Sequence, residues 1–359
     1  MCEGVNLIMT QCTHPVFVNG IFNSEKLRSL LAPDGKILVV MDDHVSGLYG
    51  AAVKKAFDTF VVDWHVFILP SGEGYKSRES KQKIEDFMFE KQFDKRSCSL
   101  ALGGGVVTDL VGFVGATYMR GMDVIYMPTS LMGMVDASIG GKTAINTKHG
   151  KNTLGVIRQP KAIIIDLKFL ITLSDHAYFW AFSEVLKHHV IADAQGLQYL
   201  LDHKDQLLAK QFNAIKKMVK KSINIKLSVI ENDIEDQGQR ALLNIGHTLG
   251  HALERVSDFS ISHGQAVAWG LLYESRYAYS CGCLSERDLH VIQHVIETLG
   301  LVIQHDYSQL AILKAMRWDK KCSVGSVRMP LIRCIGQMLD REFIWHTVDM
   351  DLMAKVLSS

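Results

Sequence analysis

Three histidines lie close together in the second half of the chain. His247 and His251 are four residues apart, so a helix would place them on one face, and His263 follows after a polar loop. Imidazole nitrogens are common zinc ligands. A closed structural zinc site would normally use cysteine, and no cysteine lies nearby. The stretch therefore predicts a catalytic type of metal site with one position open to water or substrate. Histidines placed by chance in the core or on the surface are the alternative explanation.

A further candidate ligand is Glu184, in the sequence SEVLKHH that also contains Lys187 and His188. A carboxylate joining two histidines would give the mixed oxygen and nitrogen ligand set of a catalytic zinc. The alternative is a glutamate on the solvated face of a helix, which is the usual position of this residue type.

Glycine-rich and basic segments in the first half suggest an anionic ligand. Gly103–Gly105 follow an apolar strand, and Val106 to Asp109 come next, before an apolar helix. Glycines let backbone amides approach a phosphate, and a helix N-terminus adds roughly half a positive charge. A simple tight turn is the alternative, because the spacing is not that of the common dinucleotide motif. Asp42, at another strand end, is placed to accept a ribose hydroxyl or to serve as a helix cap.

Other polar residues follow strands or glycines. Thr129 and Ser130 follow a strand, where the ligands of open α/β sheets collect, although a helix N-cap would explain them equally well. Lys142 follows a glycine pair, and Lys151 and Asn152 follow another glycine. Contacts to phosphate or carboxylate are the functional interpretation, and solvated loop lysines are the alternative.

The elements that must position these residues are predicted from apolar periodicity. Strand-length apolar runs occur at Lys36–Met41, Val61–Leu69, Ser99–Leu102, Val124–Met127 and Ala162–Ile165. Because these runs are apolar on both faces and separated by a helix length, they predict a mostly parallel sheet covered by helices. From about residue 172 the pattern becomes helical, in Ala209–Glu231, Arg240–Arg255, Gln265–Ser280 and Ser285–Leu299. An α/β domain followed by a helical domain is therefore expected.

Composition limits the class of function. The 359 residues are 48% hydrophobic and 21% charged, which is typical of a soluble globular protein of about two domains. Lys and Arg number 39 against 38 Asp and Glu, so the net charge of +1 argues against nucleic acid or anionic membrane as a partner. Seven scattered cysteines, no signal-peptide pattern in the first twenty residues and no apolar run of membrane-spanning length favour a cytoplasmic location.

In their order along the chain, these segments resemble the 3-dehydroquinate synthase family. The resemblance covers residues 71–76 (SGEGYK), 103–109, 118–121 (YMRG), 128–142, 151–152, 184–187, 233–254, 263–270 and 319–321. It implies a Rossmann-like NAD-binding domain with a mostly parallel sheet over 1–172 and an all-helical metal- and substrate-binding domain over 173–359. In the family the two domains enclose NAD, a divalent metal (Zn or Co) and a seven-carbon phosphorylated keto acid.

The resemblance also implies roles for individual residues. The implied metal ligands are Glu184, His247 and His263, whereas His251 faces the substrate, contrary to the spacing argument that would make it a ligand. The implied substrate contacts are Asp136, Lys142, Asn152, Lys187, Lys226, Arg240, Asn244, His251, Lys320 or Lys321, and Arg120 from the neighbouring subunit of a homodimer. The implied NAD contacts are Asp42, Ser71, Gly72, Glu73, Lys76, Gly104, Gly105, Asp109, Thr129, Ser130, Lys142, Lys151 and the turn from Phe169 to Thr172.

The implied reaction is an internal redox sequence of the shikimate pathway. NAD oxidises an alcohol, phosphate leaves, the same hydride reduces the ketone, and ring opening is followed by an aldol closure, so NAD is not consumed. A bound metal would acidify the substrate hydroxyl, as zinc lowers the pKa of water from about 15.7 to about 7. Fixed cations in a site closed to water would bind the phosphate and carboxylate.

Some residues depart from the family pattern. Gln265 stands where Glu is usual, Asp236 where Glu is common, and His188 with His189 where Tyr and Gly are usual. None of these changes removes a metal ligand, although Gln265 lies two residues after one.

Three alternative functions stay open. Sister sugar-phosphate cyclases share the fold and the metal but tend to change the residues that match Lys226, Asn244 and His251, all of which are kept here. A metal-dependent polyol dehydrogenase is a second alternative, because Glu184 and His188 could imitate its acidic-x-x-x-His pair. A non-catalytic NAD- and metal-binding sensor is the third.

Overall fold

The computed structural model describes residues 12–20, 25–31, 34–60, 62–236, 238–317, 326–337 and 344–358. The chain divides into two compact units, of which the first comprises Met1–Thr129 and Ala137–Lys168 and the second Ser130–Asp136 and Phe169–Ser359. The division thus falls after Lys168, and a short segment from the middle of the α/β half belongs to the second unit.

A six-stranded parallel sheet forms the core of the first unit. The strands of this unit are β1 (Pro15–Val18), β2 (Ile37–Asp42), β3 (Trp64–Leu69), β4 (Cys98–Gly103), β5 (Asp123–Pro128), β6 (Lys142–Thr147), β7 (Gly150–Ile157) and β8 (Ala162–Asp166). The large sheet has the order β1-β8-β5-β4-β2-β3, and all its pairs are parallel. The predicted mostly parallel sheet is therefore confirmed. Strand β1 was not predicted, because it is short and only half-buried.

Helices follow the strands of this sheet. They are α1 (Glu25–Leu30), α2 (Asp43–Phe57), α3 (Arg78–Glu90) and α4 (Gly105–Thr117). The Asp42 side chain accepts the Val45 N–H at 2.7 Å and caps α2, whereas α4 begins at Gly104 without a side-chain cap. The N-cap residue of α4 is thus a glycine, which has no side-chain oxygen to accept the first backbone N–H groups of the helix.

Strands β6 and β7 form a separate antiparallel hairpin, where flexible loop backbone was expected. Thr143 and Ile145 alternate inward and are buried, which gives β6 one apolar face. A Cβ atom on Gly155 would lie 2.0 Å from the Thr143 carbonyl oxygen, so the two strands approach closely there. The pattern was missed because only two inward residues carry it.

The second unit is helical, as predicted. Its helices are α5 (Phe169–Thr172), α6 (Asp175–Trp180), α7 (Phe182–Ala192), α8 (Ala194–Asp202), α9 (Lys204–Leu208), α10 (Phe212–Glu231), α11 (His247–Val256), α12 (His263–Ser280), α13 (Glu286–Leu299), α14 (Gln309–Met316) and α15 (Met350–Ser358). A small antiparallel pair, β9 (Arg328–Pro330) with β10 (Trp345–Thr347), is an addition to the all-helical expectation. Among the described residues, no helix combines the length and apolar character needed to cross a bilayer.

The continuous helix predicted over 240–255 is wrong in its first part. Residues Gln239–Asn244 form a 3-10 helix, and Gly246 then adopts a left-handed conformation with φ of 81° before α11 begins. The buried Glu274 carboxylate accepts the N–H groups of Gly246 at 2.7 Å and Leu249 at 2.9 Å. A Cβ atom on Gly270 would lie 2.0 Å from the Gly246 carbonyl oxygen. This close approach of α12 to the turn sets the position of His247 in the first turn of α11.

Candidate active-site clusters

Three helices of the second unit bring Glu184, His247 and His263 together. The Nε2 atoms of both histidines lie 3.4 Å from Oε1 of Glu184. The Glu184 side chain is fully buried, and within the described part of the chain its Oε1 has no hydrogen-bond partner. A buried carboxylate oxygen is costly unless positive charge lies beside it, which a protonated imidazole or a metal ion held by the three side chains would supply. Two imidazoles and one carboxylate are also the donors of many catalytic zinc sites.

Other groups fix the orientation of these three side chains. His247 Nδ1 lies 3.2 Å from the Ile245 carbonyl oxygen, and His263 Nδ1 lies 3.4 Å from Oε2 of the buried Glu254. Both contacts leave the Nε2 atoms directed at Glu184. Lys187 contacts the other carboxylate oxygen, Oε2, so the two Glu184 oxygens have different neighbours. Histidine ligands of metals are commonly held through their second nitrogen in this manner.

The protonation states follow from burial and neighbouring charge. Burial, together with the charge of Lys187, lowers the pKa of His247 to about 4. Burial acts in the same direction on His263, but Glu184 and Glu254 outweigh it and raise its pKa to about 10. Burial alone would raise the pKa of Glu184, whereas Lys187 and His247 hold it well below its usual range. The side chain of His263 is 36% exposed, so the cluster is accessible from that direction.

His251 lies beside this cluster but on its exposed side. Its ring meets that of His247 edge-on at 5.3 Å and lies over that of His263 at 6.1 Å. Among the described residues, the donor atoms of Glu184, His247 and His263 lie within 4.8 Å of one another, and so do those of His251, Glu254 and His263. In each of these two groups, the histidines are joined by a buried glutamate.

Charged side chains of alternating sign, all buried except the half-buried Asp136, continue from Glu184. Asp136, in the segment 130–136 of this unit, accepts Lys226 Nζ at 2.6 Å on both its carboxylate and its backbone oxygen. Lys187 Nζ lies 4.0 Å from the same carboxylate and donates to the Leu243 carbonyl at 2.8 Å. Burial would raise the pKa of Asp136, but Lys226 holds it well below its usual range. The order Glu184, Lys187, Asp136, Lys226 thus balances two anions with two cations.

The short 3-10 helix Gln239–Asn244 adds two of the predicted substrate contacts. Arg240 is 2% exposed and donates from Nη1 to the Ile234 carbonyl at 2.8 Å. The pKa of Lys226 is lowered mainly by burial, and the charge of Arg240 lowers it further. Asn244 donates from Nδ2 to the Ala241 carbonyl at 3.1 Å. The second unit therefore collects three buried or nearly buried cations with Asp136 and Asn244.

A second cluster lies within the first unit. The nearly buried Lys76 contacts the carboxylate of Asp109 on α4 and the side-chain oxygen of Asn152 on β7. Asn146 donates to Oε1 of Glu73 at 2.8 Å and accepts the Asn152 N–H at 2.9 Å. These contacts link the SGEGYK segment, the glycine-initiated helix and the hairpin. A Cβ atom on Gly105 would lie 3.1 Å from that of Ala137, so the bare helix start depends on glycine.

The other predicted residues have the following positions. Ser71 donates its N–H to the Asp43 carboxylate at 3.0 Å, Gly72 has φ of 115°, and the Thr129 N–H donates to the Gly103 carbonyl at 3.0 Å. Ser130 accepts the Gly133 N–H at 3.1 Å, and Phe169 and Thr172 belong to α5, so these three lie in the second unit. Lys142 is exposed at the start of β6, Lys151 is half-buried in β7, and Arg120 is exposed with φ of 66°. Lys320 and Lys321 lie outside the described residues.

Sequence reasoning missed Glu254 and Glu274, which hold His263 and the turn before His247. Both glutamates lie in helical segments, where a glutamate is usually exposed to solvent, and only the structure shows that they are buried. Gln265 has a local role, because its Oε1 accepts the Ser262 hydroxyl at 2.8 Å and N–H at 3.0 Å. This capping contact fixes the first turn of α12, where His263 lies.

Comparisons with known proteins agree with this architecture. The 3-dehydroquinate synthase N-terminal family matches residues 66–179, and the 3-dehydroquinate synthase C-terminal family matches residues 181–322. The 3-dehydroquinate synthase of Syntrophotalea carbinolica is 36% identical over 335 residues, which are 92% of this chain and 92% of that protein. That of Geobacillus thermodenitrificans is 38% identical over 319 residues, 87% of this chain and 86% of that protein.

A solved structure is similar over almost its whole length. ValA, a 2-epi-5-epi-valiolone synthase from Streptomyces hygroscopicus with NAD+ and Zn2+ bound, gives a TM-score of 0.89 at 26% identity, covering 99% of this chain and 98% of that one. The fold of this chain, a parallel-sheet unit and a helical unit, is thus that of the sugar-phosphate cyclases. Within that class, the chain belongs to the 3-dehydroquinate synthase family.

Proposed function

We propose that the chain converts 3-deoxy-D-arabino-heptulosonate 7-phosphate to 3-dehydroquinate and phosphate. Identity to a 3-dehydroquinate synthase is 36% over 92% of both chains, compared with 26% to the valiolone synthase, which supports this substrate over that of a sister cyclase. The structural observation that carries the proposal is Glu184 Oε1. It is buried, has no hydrogen-bond partner among the described residues, and faces the Nε2 atoms of two histidines at 3.4 Å.

The residues present fit a divalent zinc or cobalt ion. Glu184, His247 and His263 would hold it, with both imidazoles already oriented through their Nδ1 atoms. The exposure of His263 leaves one direction for substrate or water. His251, beside the same rings but exposed, would contact substrate.

The first unit fits a dinucleotide. The backbone amide groups at Gly104 and Gly105 suit a pyrophosphate, because no side chain of the N-cap residue covers them. Asp42, Glu73 and Lys76 would make polar contacts to NAD. The other residues assigned to NAD are Ser71, Gly72, Asp109, Thr129, Lys151, Ser130, Phe169 and Thr172. When bound, NAD supplies the transient oxidation that makes phosphate elimination possible, and the metal acidifies the reacting hydroxyl.

Charge and burial define the work of the remaining residues. Lys187, Lys226 and Arg240 are at most 6% exposed, so their charge-assisted contacts would be little screened by water. We assign them, with Asp136, Lys142, Asn152 and Asn244, to the phosphate, carboxylate and hydroxyl groups of the substrate. Because these side chains are held in place, their hydrogen-bond donors would replace the water around the substrate's phosphate and carboxylate groups without rearranging.

Assembly and location extend the proposal. Arg120 is exposed and lies in a strained turn with φ of 66°, following Met119 at 47°. We propose that it completes the substrate site of the second subunit in a homodimer. The described cysteines form no disulfide with one another, which supports a cytoplasmic enzyme.

The test uses zinc-loaded protein, NAD and the seven-carbon keto acid phosphate. Equimolar phosphate and 3-dehydroquinate, identified by mass spectrometry, are expected. Faster turnover of a seven-carbon sugar phosphate without the carboxylate would indicate a sister cyclase. Net NADH formation with glycerol would indicate a dehydrogenase, and ligand binding without any product would indicate a sensor.

A further inference from the structure

One fully buried histidine near the substrate residues has no assigned role. His188 follows Lys187 on α7 and is 0% exposed. Its Nδ1 lies 2.7 Å from the hydroxyl oxygen of Ser222, which is equally buried on α10. Its Nε2 is buried without a hydrogen-bond partner in the described part of the chain and lies 3.7 Å from Oδ1 of Asp136.

Burial and neighbouring charges determine whether the His188 ring is charged and which of its nitrogens carries the proton. Burial lowers the pKa of His188, the charge of Lys187 acts in the same direction, and Asp136 opposes both. The ring is therefore neutral at physiological pH and carries a single proton. Because Nε2 faces a carboxylate, the hydrogen-bond network assigns the proton to Nε2 and makes Ser222 the donor to Nδ1.

The distance from His188 to Asp136 is longer than a direct hydrogen bond. A small rotation of the carboxylate or one bridging water would complete the contact. Lys226 already holds the same Oδ1 atom at 2.6 Å. A donor at Nε2 would restrict the remaining rotation of the carboxylate without adding charge to a cluster in which two anions and two cations are balanced.

We propose that His188, held by Ser222, is a positioning residue that fixes the Asp136 carboxylate for substrate binding. This inference rests on the proposed function, in which Asp136 contacts the substrate. A buried donor left without a partner is costly, so an apolar side chain would serve packing alone better than an imidazole. A contact from Nε2 to Asp136, completed by a small rotation of the carboxylate or by one water, would explain the polar ring.

Matched amide variants separate the two ring nitrogens. In His188→Gln the amide reaches the position of Nε2, whereas in His188→Asn it replaces Nδ1. His188→Leu should lower kcat/KM by about tenfold to a hundredfold, as expected for the loss of a hydrogen bond to a charged group. His188→Gln should recover most of that loss, and His188→Asn should not. Equal activity of the two amide variants would overturn the proposal.

Substrate affinity gives a readout that does not depend on turnover. Calorimetric titration of the keto acid phosphate into zinc-loaded, NAD-free protein should show weaker binding for His188→Leu. The same change made in an Asp136→Asn background should have no further effect, because the group that it positions is already altered. Additive losses of affinity would show that His188 acts independently of Asp136 and would overturn the proposal.

The design also separates this inference from the proposed function. A double-mutant cycle of His188→Leu and Asp136→Asn, measured by urea unfolding, reports their contact whether or not the chain has the proposed activity. Non-additive changes are expected, and additive changes contradict the contact. An inactive wild-type protein would refute the proposed function, whereas an active wild type with unaffected variants would refute only the role of His188.

Discussion

Replacing Glu184 by Gln should remove metal binding while preserving the shape of the side chain. The carboxylate lies 3.4 Å from the Nε2 atoms of His247 and His263 and is fully buried, and the neutral amide of glutamine supplies no negative charge to a metal ion there. Changes to groups that only orient a ligand cost about 10–100-fold in metal affinity, so loss of a ligand should cost more than about 100-fold. By the relation of affinity to free energy, this corresponds to more than about 2.7 kcal/mol.

The same change removes the ion-pair partner of Lys187, which is 1% exposed. Breaking a buried pair on one side costs about 3–5 kcal/mol, and the low end is expected because Lys187 keeps its bond to the Leu243 carbonyl. The metal-free variant should therefore be about 3 kcal/mol less stable in urea unfolding. Loss of stability and loss of metal are separate outcomes with separate assays.

Zinc affinity would be measured by competition with a chromophoric chelator. Asp166→Asn is a matched control, because it also converts a buried carboxylate to an amide but lies in the first unit. His251→Ala, at an exposed position, should change zinc affinity by less than about tenfold. A Glu184→Gln protein that binds zinc like the wild type would make Glu184 a structural ion-pair partner only. Equal losses in the Glu184 and His251 variants would place His251 among the ligands.

Three further predictions use the same protein. Glu254→Gln should weaken zinc binding about tenfold, because it orients His263, and unchanged affinity in the chelator assay would contradict this. At pH 8, zinc binding should release about one proton. Without metal, the pKa of about 10 keeps His263 protonated, whereas the pKa of about 4 leaves His247 neutral. Zinc affinity should therefore rise as the pH increases towards 10. Calorimetry in buffers of different ionisation enthalpy measures this, and zero protons would refute it. Mixed and refolded Arg120→Ala and Glu184→Ala chains, each inactive alone, should recover roughly a quarter of wild-type activity; no recovery, with normal dimers, would show that Arg120 serves its own subunit.

The parallel sheet could be predicted because its strands are buried on both faces and therefore appear as continuous apolar runs. Helices α10, α12 and α13 were predicted with small errors at their ends because their periodicity is long. The break before α11 was missed, since it depends on Gly246 and on the Glu274 carboxylate, which is distant in sequence. The β6–β7 hairpin was missed because its inward face is short.

The candidate metal site could likewise be predicted only in part from the sequence. Spacing alone could select His247 and His251 as neighbours on one helix face, but it could not show that a carboxylate from α7 lies between His247 and His263. Burial decides that question, and a glutamate on an amphipathic helix gives little sign of being buried. Glu184 was assigned through family resemblance, while Glu254 was not assigned at all.

The most direct test of the account is the stoichiometry of NAD. In a reaction with zinc-loaded protein and NAD at a small fraction of the substrate concentration, phosphate release should approach the amount of substrate supplied, and absorbance should show no accumulated NADH. Omitting NAD from protein freed of nucleotide should abolish phosphate release. Phosphate release limited to the amount of NAD added, with matching NADH, would contradict the internal redox cycle and with it the proposed function.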